Sequence, residues 1–144
     1  CVADTRVEDI VEVSIGPLVN NRHSEDGPNA PFACTASVGR WVEVRQLSES
    51  RRFGGRLVDP PFVVVRRTSR PEDKYRAVAS IVREKSSVAV DNHLVELQPH
   101  DGRLQTFRRV ARTLADPRTS DWLNLSIRCR HLTVGSLKEL PVYD

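Results

Sequence analysis

The sequence is poor in several things that particular functions require. It contains no Met, only seven Gly, and three Cys at positions 1, 34 and 129. Three widely separated cysteines with no Cys-x-x-Cys pair argue against a disulfide framework and for a reducing, cytoplasmic setting. Cys129 and His131 lie close in sequence but lack a second ligand pair, so the expected roles are buried thiol and surface imidazole, without zinc. No run of 18 apolar residues occurs, which excludes a membrane-spanning helix. The opening CVADTRVEDI has neither the basic nor the apolar part of a signal peptide. Without any Met, and with Cys at position 1, the chain is expected to be a piece of a longer protein, folded as one domain over residues 1–144. No internal repeat or low-complexity stretch is present.

What the chain does have is arginine. Of its 22 basic residues only Lys74, Lys85 and Lys138 are lysines. The net charge of +3 is unevenly spread. Residues 1–39 hold two Arg against six Asp/Glu, a net of −4. Residues 40–85 hold twelve Lys/Arg against six Asp/Glu, a net of +6. Residues 86–144 hold eight against seven, a net of +1. A basic middle third of this kind is suited to a polyanion, and guanidinium groups suit bidentate contact with phosphate or guanine.

The hydrophobic pattern predicts an α+β fold, a single mixed domain with a central β-sheet followed by two C-terminal helices. VEDIVEVSI, residues 7–15, reads as a strand or a short helix leading into one. Residues 20–31 and 48–55 read as loops. FVVVRR at 62–67, YRAVASIV at 75–82 and VAVDNHLVEL at 88–97 read as strands, the last broken at Asp91-Asn92. Three successive valines, Val63 to Val65, predict a strand covered on both faces. Asp101 is placed to cap a helix over 102–115, with Leu104, Phe107, Ala111 and Leu114 on one face and Arg108, Arg109 and Arg112 on the solvent side. Asp116-Pro117 stops it. Ser120 would cap a second helix carrying Trp122, Leu123 and Ile127 into the core; 132–134 would be a strand and 135–141 a turn.

One short motif raises the question of catalysis. Asp59-Pro60-Pro61-Phe62 has the form of the Asp/Asn/Ser-Pro-Pro-aromatic signature that methylates exocyclic amino groups of flipped DNA bases. That chemistry also needs a glycine-rich turn against S-adenosylmethionine. The seven glycines never fall as Gly-x-Gly, and the tetrapeptide runs straight into FVVVRR. Two prolines without N–H groups suit the start of a strand, so the structural reading is preferred and no catalytic residue is assigned. His23, His93, His100 and His131 show no spacing that selects an acid–base pair. Asp91 with Glu96-Leu97-Gln98 is a loose match to a nuclease carboxylate pattern.

Three segments carry a family resemblance: PFVVVRRTS at 61–69, NHL at 92–94, and the ending from Trp122 to Pro141, WLN followed by RCRHLTV and LKELP. Together with EDIVEVSIGPLVNNR they span about residues 8–142. They resemble the C-terminal target-recognition region of bacterial adenine-N6 DNA methyltransferases of restriction–modification systems, akin to the TaqI and Eco57I groups. The resemblance implies a DNA-binding recognition domain that clamps double-stranded DNA opposite a methyltransferase catalytic domain in the same or a partner chain. It implies S-adenosylmethionine in the full-length enzyme and no cofactor in this fragment, which by itself would not be an enzyme. The DNA-binding candidates, chosen as cations in loops beside strands, are Arg51, Arg52, Arg56, Arg66, Arg67, Arg70 and Lys74, with a second group at Arg128, Arg130 and His131. The competing expectations are a small nuclease and a protein-interaction domain docking on a catalytic partner.

Overall fold

The computed structural model describes residues 5–19, 26–126 and 132–143. In chain order the elements are α1 (Val7–Ile10), β1 (Val11–Ile15), β2 (Asn29–Ala33), α2 (Thr35–Val38), β3 (Glu43–Val44), β4 (Ser50–Arg52), β5 (Phe62–Arg66), β6 (Ala79–Val82), β7 (Ala89–Val90), β8 (Leu94–Pro99), α3 (Leu104–Ala115), α4 (Pro117–Ser126) and α5 (Val134–Glu139). The fold is α+β, with a central mixed sheet and helices gathered toward the C-terminus. Among the described residues three C-terminal helices stand where two were expected.

The central sheet has the order β1-β8-β5-β6-β3. Its pairs are antiparallel except for the short β3–β6 pair. A smaller sheet, β4-β2-β7, lies beside it. β5 occupies the middle, and its side chains alternate between two cores as the pleat demands. Val63 and Val65 pack with Phe107, Val110, Leu114, Leu123 and Leu137 from the helices, while Phe62 and Val64 pack with Val58, Val88, Val90 and Leu94 on the opposite face. A strand buried on both faces is what three consecutive valines predict. β-branched side chains suit such a position because their restricted rotamers fit a pleated, packed surface.

The helical face is equally direct. Phe107, Val110 and Leu114 are fully buried, Leu104 packs at the margin, and Arg108 and Arg112 reach solvent. The helix starts two residues later than expected. Asp101 still serves its first turn, accepting from the Arg103 N–H at 2.9 Å and the Thr106 hydroxyl at 2.8 Å. Both bonds favour the carboxylate form and lower its pKa. Asp116 ends α3, and Pro117 is the first residue of α4, where a missing N–H costs nothing. The Asp116 carboxylate takes hydrogen bonds from the Arg118 guanidinium and backbone N–H, which hold its pKa down to about 2.

Several expectations are corrected. The 48–55 segment contains β4, because Ser50–Arg52 pairs with Asn29–Pro31. The 75–82 strand begins only at Ala79. Ser120 does not cap; it lies inside α4, accepts from the Arg76 N–H at 3.0 Å and donates to the Lys74 carbonyl at 3.2 Å, tying that loop to the helix. The apolar run at 132–134 is not a strand. The Thr133 side chain accepts from the Ser136 N–H and caps α5, which replaces the turn expected at 135–141. Ile127 lies outside the described residues.

Candidate nucleic-acid interface

DPPF resolves first. Phe62 is fully buried in the core beneath the sheet, so its ring cannot stack on a flipped base. Asp59 is occupied: its carboxylate accepts from the Ser87 hydroxyl and its carbonyl from the Gln98 amide at 3.4 Å. The tetrapeptide delivers the chain into β5.

The arginines expected at DNA separate into two regions. Arg51 and Arg52 lie on β4, where Arg52 pairs with Asn29 at the start of β2. Arg66 and Arg67 lie at the far end of β5, next to Leu94 and His93. That end of β5 is also where Ala33, the last residue of β2, receives the Asp91 N–H. The length of β2, about 13 Å by the rise of a strand, therefore lies between Arg52 and the Arg66 end of β5.

In the first region the cations have partners within the protein. The Arg51 side chain is buried, and Arg52 donates from Nε to the Gly27 carbonyl at 2.8 Å. Arg56 bonds to the Glu96 carboxylate at 2.8 Å. Glu96 is 2% exposed, on β8 in the middle of the sheet. Burial raises its pKa, and the Arg56 guanidinium opposes that shift. A buried carboxylate without its counter-ion is costly, which makes Arg56 a structural partner.

The second region is different. Arg66 donates from Nη2 to the carbonyls of Thr35 (2.9 Å) and Gly39 (3.2 Å), bracing the loop around α2. Gly39 has φ of +66°, a conformation that glycine adopts without the Cβ clash other residues meet. The next residues, Arg40 and Trp41, turn back across the sheet end. Trp41 donates its N–H to Ala79 at 2.8 Å, and its ring meets Tyr75 edge-on at 5.0 Å. Tyr75 in turn carries the Lys74 ammonium 5.3 Å above its ring. Arg67 donates to the Asn92 carbonyl, and the Asp73 carboxylate takes the Arg70 N–H at 2.9 Å, closing a tight turn. Arg66 and Arg67 thus lie at the end of β5 with Arg40 beside Arg66, and Arg70 and Lys74 follow in the turn that leaves it. Among the described residues, none of the five forms an ion pair. Desolvation, reinforced by repulsion from Arg40, lowers the pKa of Arg66. Arg40 was not among the sequence candidates. Its only signal was its place directly after a glycine that turns the chain.

Arg128, Arg130 and His131 lie outside the described residues. Leu132, which follows them, donates its N–H to the Arg67 carbonyl at 2.7 Å. On α3, Arg108 comes within 3.7 Å of Glu43.

The nuclease residues have other partners. The Asp91 carboxylate accepts from His93 Nδ1 at 2.9 Å, whereas Glu96 faces Arg56. His93 and His100 flank β8, about 20 Å apart along the strand, so they form no acid–base pair. Among the described residues no cluster of three His, Cys, Asp or Glu side chains has metal-binding geometry. Cys34 is unpaired and donates to Glu49 at 3.1 Å; its thiol pKa is raised, chiefly by burial. No described helix is long and apolar enough to cross a membrane.

No family model and no curated protein matches this sequence. Among solved structures, the HsdS subunit from Thermoanaerobacter tengcongensis is similar in fold, with a TM-score of 0.55 and 14% identity. The match covers 96% of this chain and 33% of that one, so the chain spans about a third of the HsdS subunit's length.

Proposed function

We propose that this chain is a DNA target-recognition module of a restriction–modification system, non-catalytic by itself, which presents Arg40, Arg66, Arg67, Arg70 and Lys74 to duplex DNA. The observation that carries the reading is the set of five basic residues at and just beyond the end of β5, which form no ion pair among the described residues, on a fold similar to that of an HsdS subunit. HsdS is the specificity subunit of type I systems, and its fold supports recognition as the role of this domain. The narrower assignment, to adenine-N6 enzymes of the TaqI and Eco57I type, is supported by the sequence segments at 61–69, 92–94 and 122–141. On that reading a methyltransferase catalytic domain, in the same chain or a partner, supplies S-adenosylmethionine and the methyl transfer. This module supplies position through phosphate contacts and specificity through neighbouring loops.

The reading is tested by titrating the protein with duplex DNA at several salt concentrations. Binding is expected to weaken linearly in log–log form as salt rises, with a slope of about −0.9 per phosphate contact. Salt-independent affinity, or no affinity at low salt, would contradict it.

A further inference from the structure

At the end of β5 the basic surface folds into a notch of about 240 Å³ lined by Thr35, Arg66, Thr68 and His93. It is smaller than the roughly 300–1,000 Å³ of pockets that take drug-sized ligands. Its four lining residues bring a guanidinium, an imidazole and two hydroxyls to the notch. Arg66 is anchored by the carbonyls of Thr35 and Gly39, and its buried Nε–H has no partner among the described residues. Such an N–H is costly to bury without an acceptor. His93 is oriented by Asp91, which takes its Nδ1 at 2.9 Å and is itself 4% exposed. The Asp91 carbonyl is pinned against Gly16, where a Cβ would come within 2.1 Å of the oxygen, so Gly16 has to be glycine for β1 and the 91–94 turn to approach this closely. With Nδ1 committed to the carboxylate, Nε2 is the nitrogen left for a ligand, and it donates when the ring is protonated. Arg40 adds a second positive charge beside Arg66.

We propose that this notch is a seat for a single phosphate-class oxyanion, held between the Arg66 guanidinium, the His93 imidazole and the Thr35 and Thr68 hydroxyls, and that its natural occupant is one backbone phosphodiester of DNA. The last step rests on the DNA-recognition reading; the oxyanion seat does not. The assignment also gives Arg66 a specific role. Its fork is committed on one side to loop carbonyls, so it positions the backbone and reads no base. Losing it is expected to weaken binding equally across DNA sequences.

The test is an amide-resolved NMR titration of the protein, first with inorganic phosphate and then with duplex DNA. Phosphate is expected to shift the Thr35, Thr68 and His93 signals saturably. Arg66→Gln and His93→Asn are each expected to weaken that response about tenfold, as for loss of a charge-assisted hydrogen bond. Arg66→Lys, which keeps the charge, is expected to retain more of the response than Arg66→Gln, and unchanged amide signals away from the notch check that any loss is not simply a disturbed loop. DNA should shift the same signals, and phosphate should compete with it there. Absence of a saturable phosphate response, or variants that respond like the parent, would overturn the seat. DNA binding with those signals unmoved would overturn the phosphodiester as the occupant and leave the recognition reading standing. A phosphate response with no DNA binding would overturn the phosphodiester as occupant, and with it the recognition reading.

Discussion

Arg51, Arg52 and Arg56 and the cluster of Arg66, Arg67, Arg70 and Lys74 look alike in sequence. Both are basic, both adjoin strands, and both fall in the +6 middle third of the chain. In three dimensions their side chains are held differently. In the first group Arg51 is buried on β4 and Arg56 pairs with the buried Glu96, while Arg52 is exposed and bonded to the Gly27 carbonyl. In the second, among the described residues, backbone carbonyls hold Arg66 and Arg67 and an aromatic ring holds Lys74, which fixes these side chains without neutralising them. A cation paired with a buried carboxylate stabilises the fold. A cation held by neutral acceptors keeps its field available to a polyanion.

The largest effect should come from inverting the open cluster. Arg66→Glu, Arg67→Glu and Arg70→Glu together are expected to lower affinity for duplex DNA by about 100-fold or more at low salt, since contacts are lost and repulsion is added. Fluorescence anisotropy would measure it, with circular dichroism confirming the fold. An unchanged affinity would break the comparison on its open side.

Next comes the inward group. Arg56→Ala leaves Glu96 buried without its partner and is expected to cost about 2 kcal/mol, less than the 3–5 kcal/mol of a fully buried pair because Arg56 is half-exposed. That corresponds to a fall in melting temperature of about 6 °C for a chain of this size. DNA affinity of the folded variant should stay within about twofold of the parent, and the double variant Arg56→Ala, Glu96→Gln should recover part of the stability. A loss of affinity with no loss of stability would reverse the assignment of Arg56.

A pH series sharpens the same point with a smaller effect. Burial raises the Glu96 pKa above its unfolded value, so the folded chain holds that proton more tightly. Its contribution to stability is fully present below the ordinary glutamate range and is lost as pH rises through the raised folded value. Urea midpoints between about pH 4 and 7 should therefore fall with rising pH more steeply in Arg56→Ala than in the parent. The Glu96→Gln series should lack this component. The smallest effect is expected for Arg52→Ala, which removes one exposed bond to a carbonyl: within about 0.5 kcal/mol in stability, and no change in DNA affinity beyond about twofold.

How far the sequence went depended on the physics behind each feature. β5 was legible because three valines in succession have few other places to go, and α3 because its apolar residues recur at helical spacing. The break at Asp91-Asn92 was legible in the turn residues. α5 was not: Leu132-Thr133-Val134 has strand propensity, and the hydroxyl of Thr133 acting as a cap outweighed it. Ser120 was seen as a helix-capping hydroxyl, but its partner is the Arg76 N–H, 44 residues away. The candidate site was legible as charge and illegible as geometry. Nothing local in RRFGGR says that Arg56 meets Glu96, forty residues on, and Arg40 joins Arg66 only because Gly39 turns the chain back over the sheet end.

The most direct measurement compares salt dependence between the two regions. Duplex DNA affinity would be followed across salt concentrations for the parent protein, for Arg66→Gln, Arg67→Gln, Arg70→Gln combined, and for Arg52→Gln, Arg56→Gln combined. The account predicts that the log–log slope falls by about 2 to 3 in the first variant, about 0.9 for each phosphate contact removed, and is unchanged in the second. An unchanged slope in the first variant, or an equal fall in both, would contradict it.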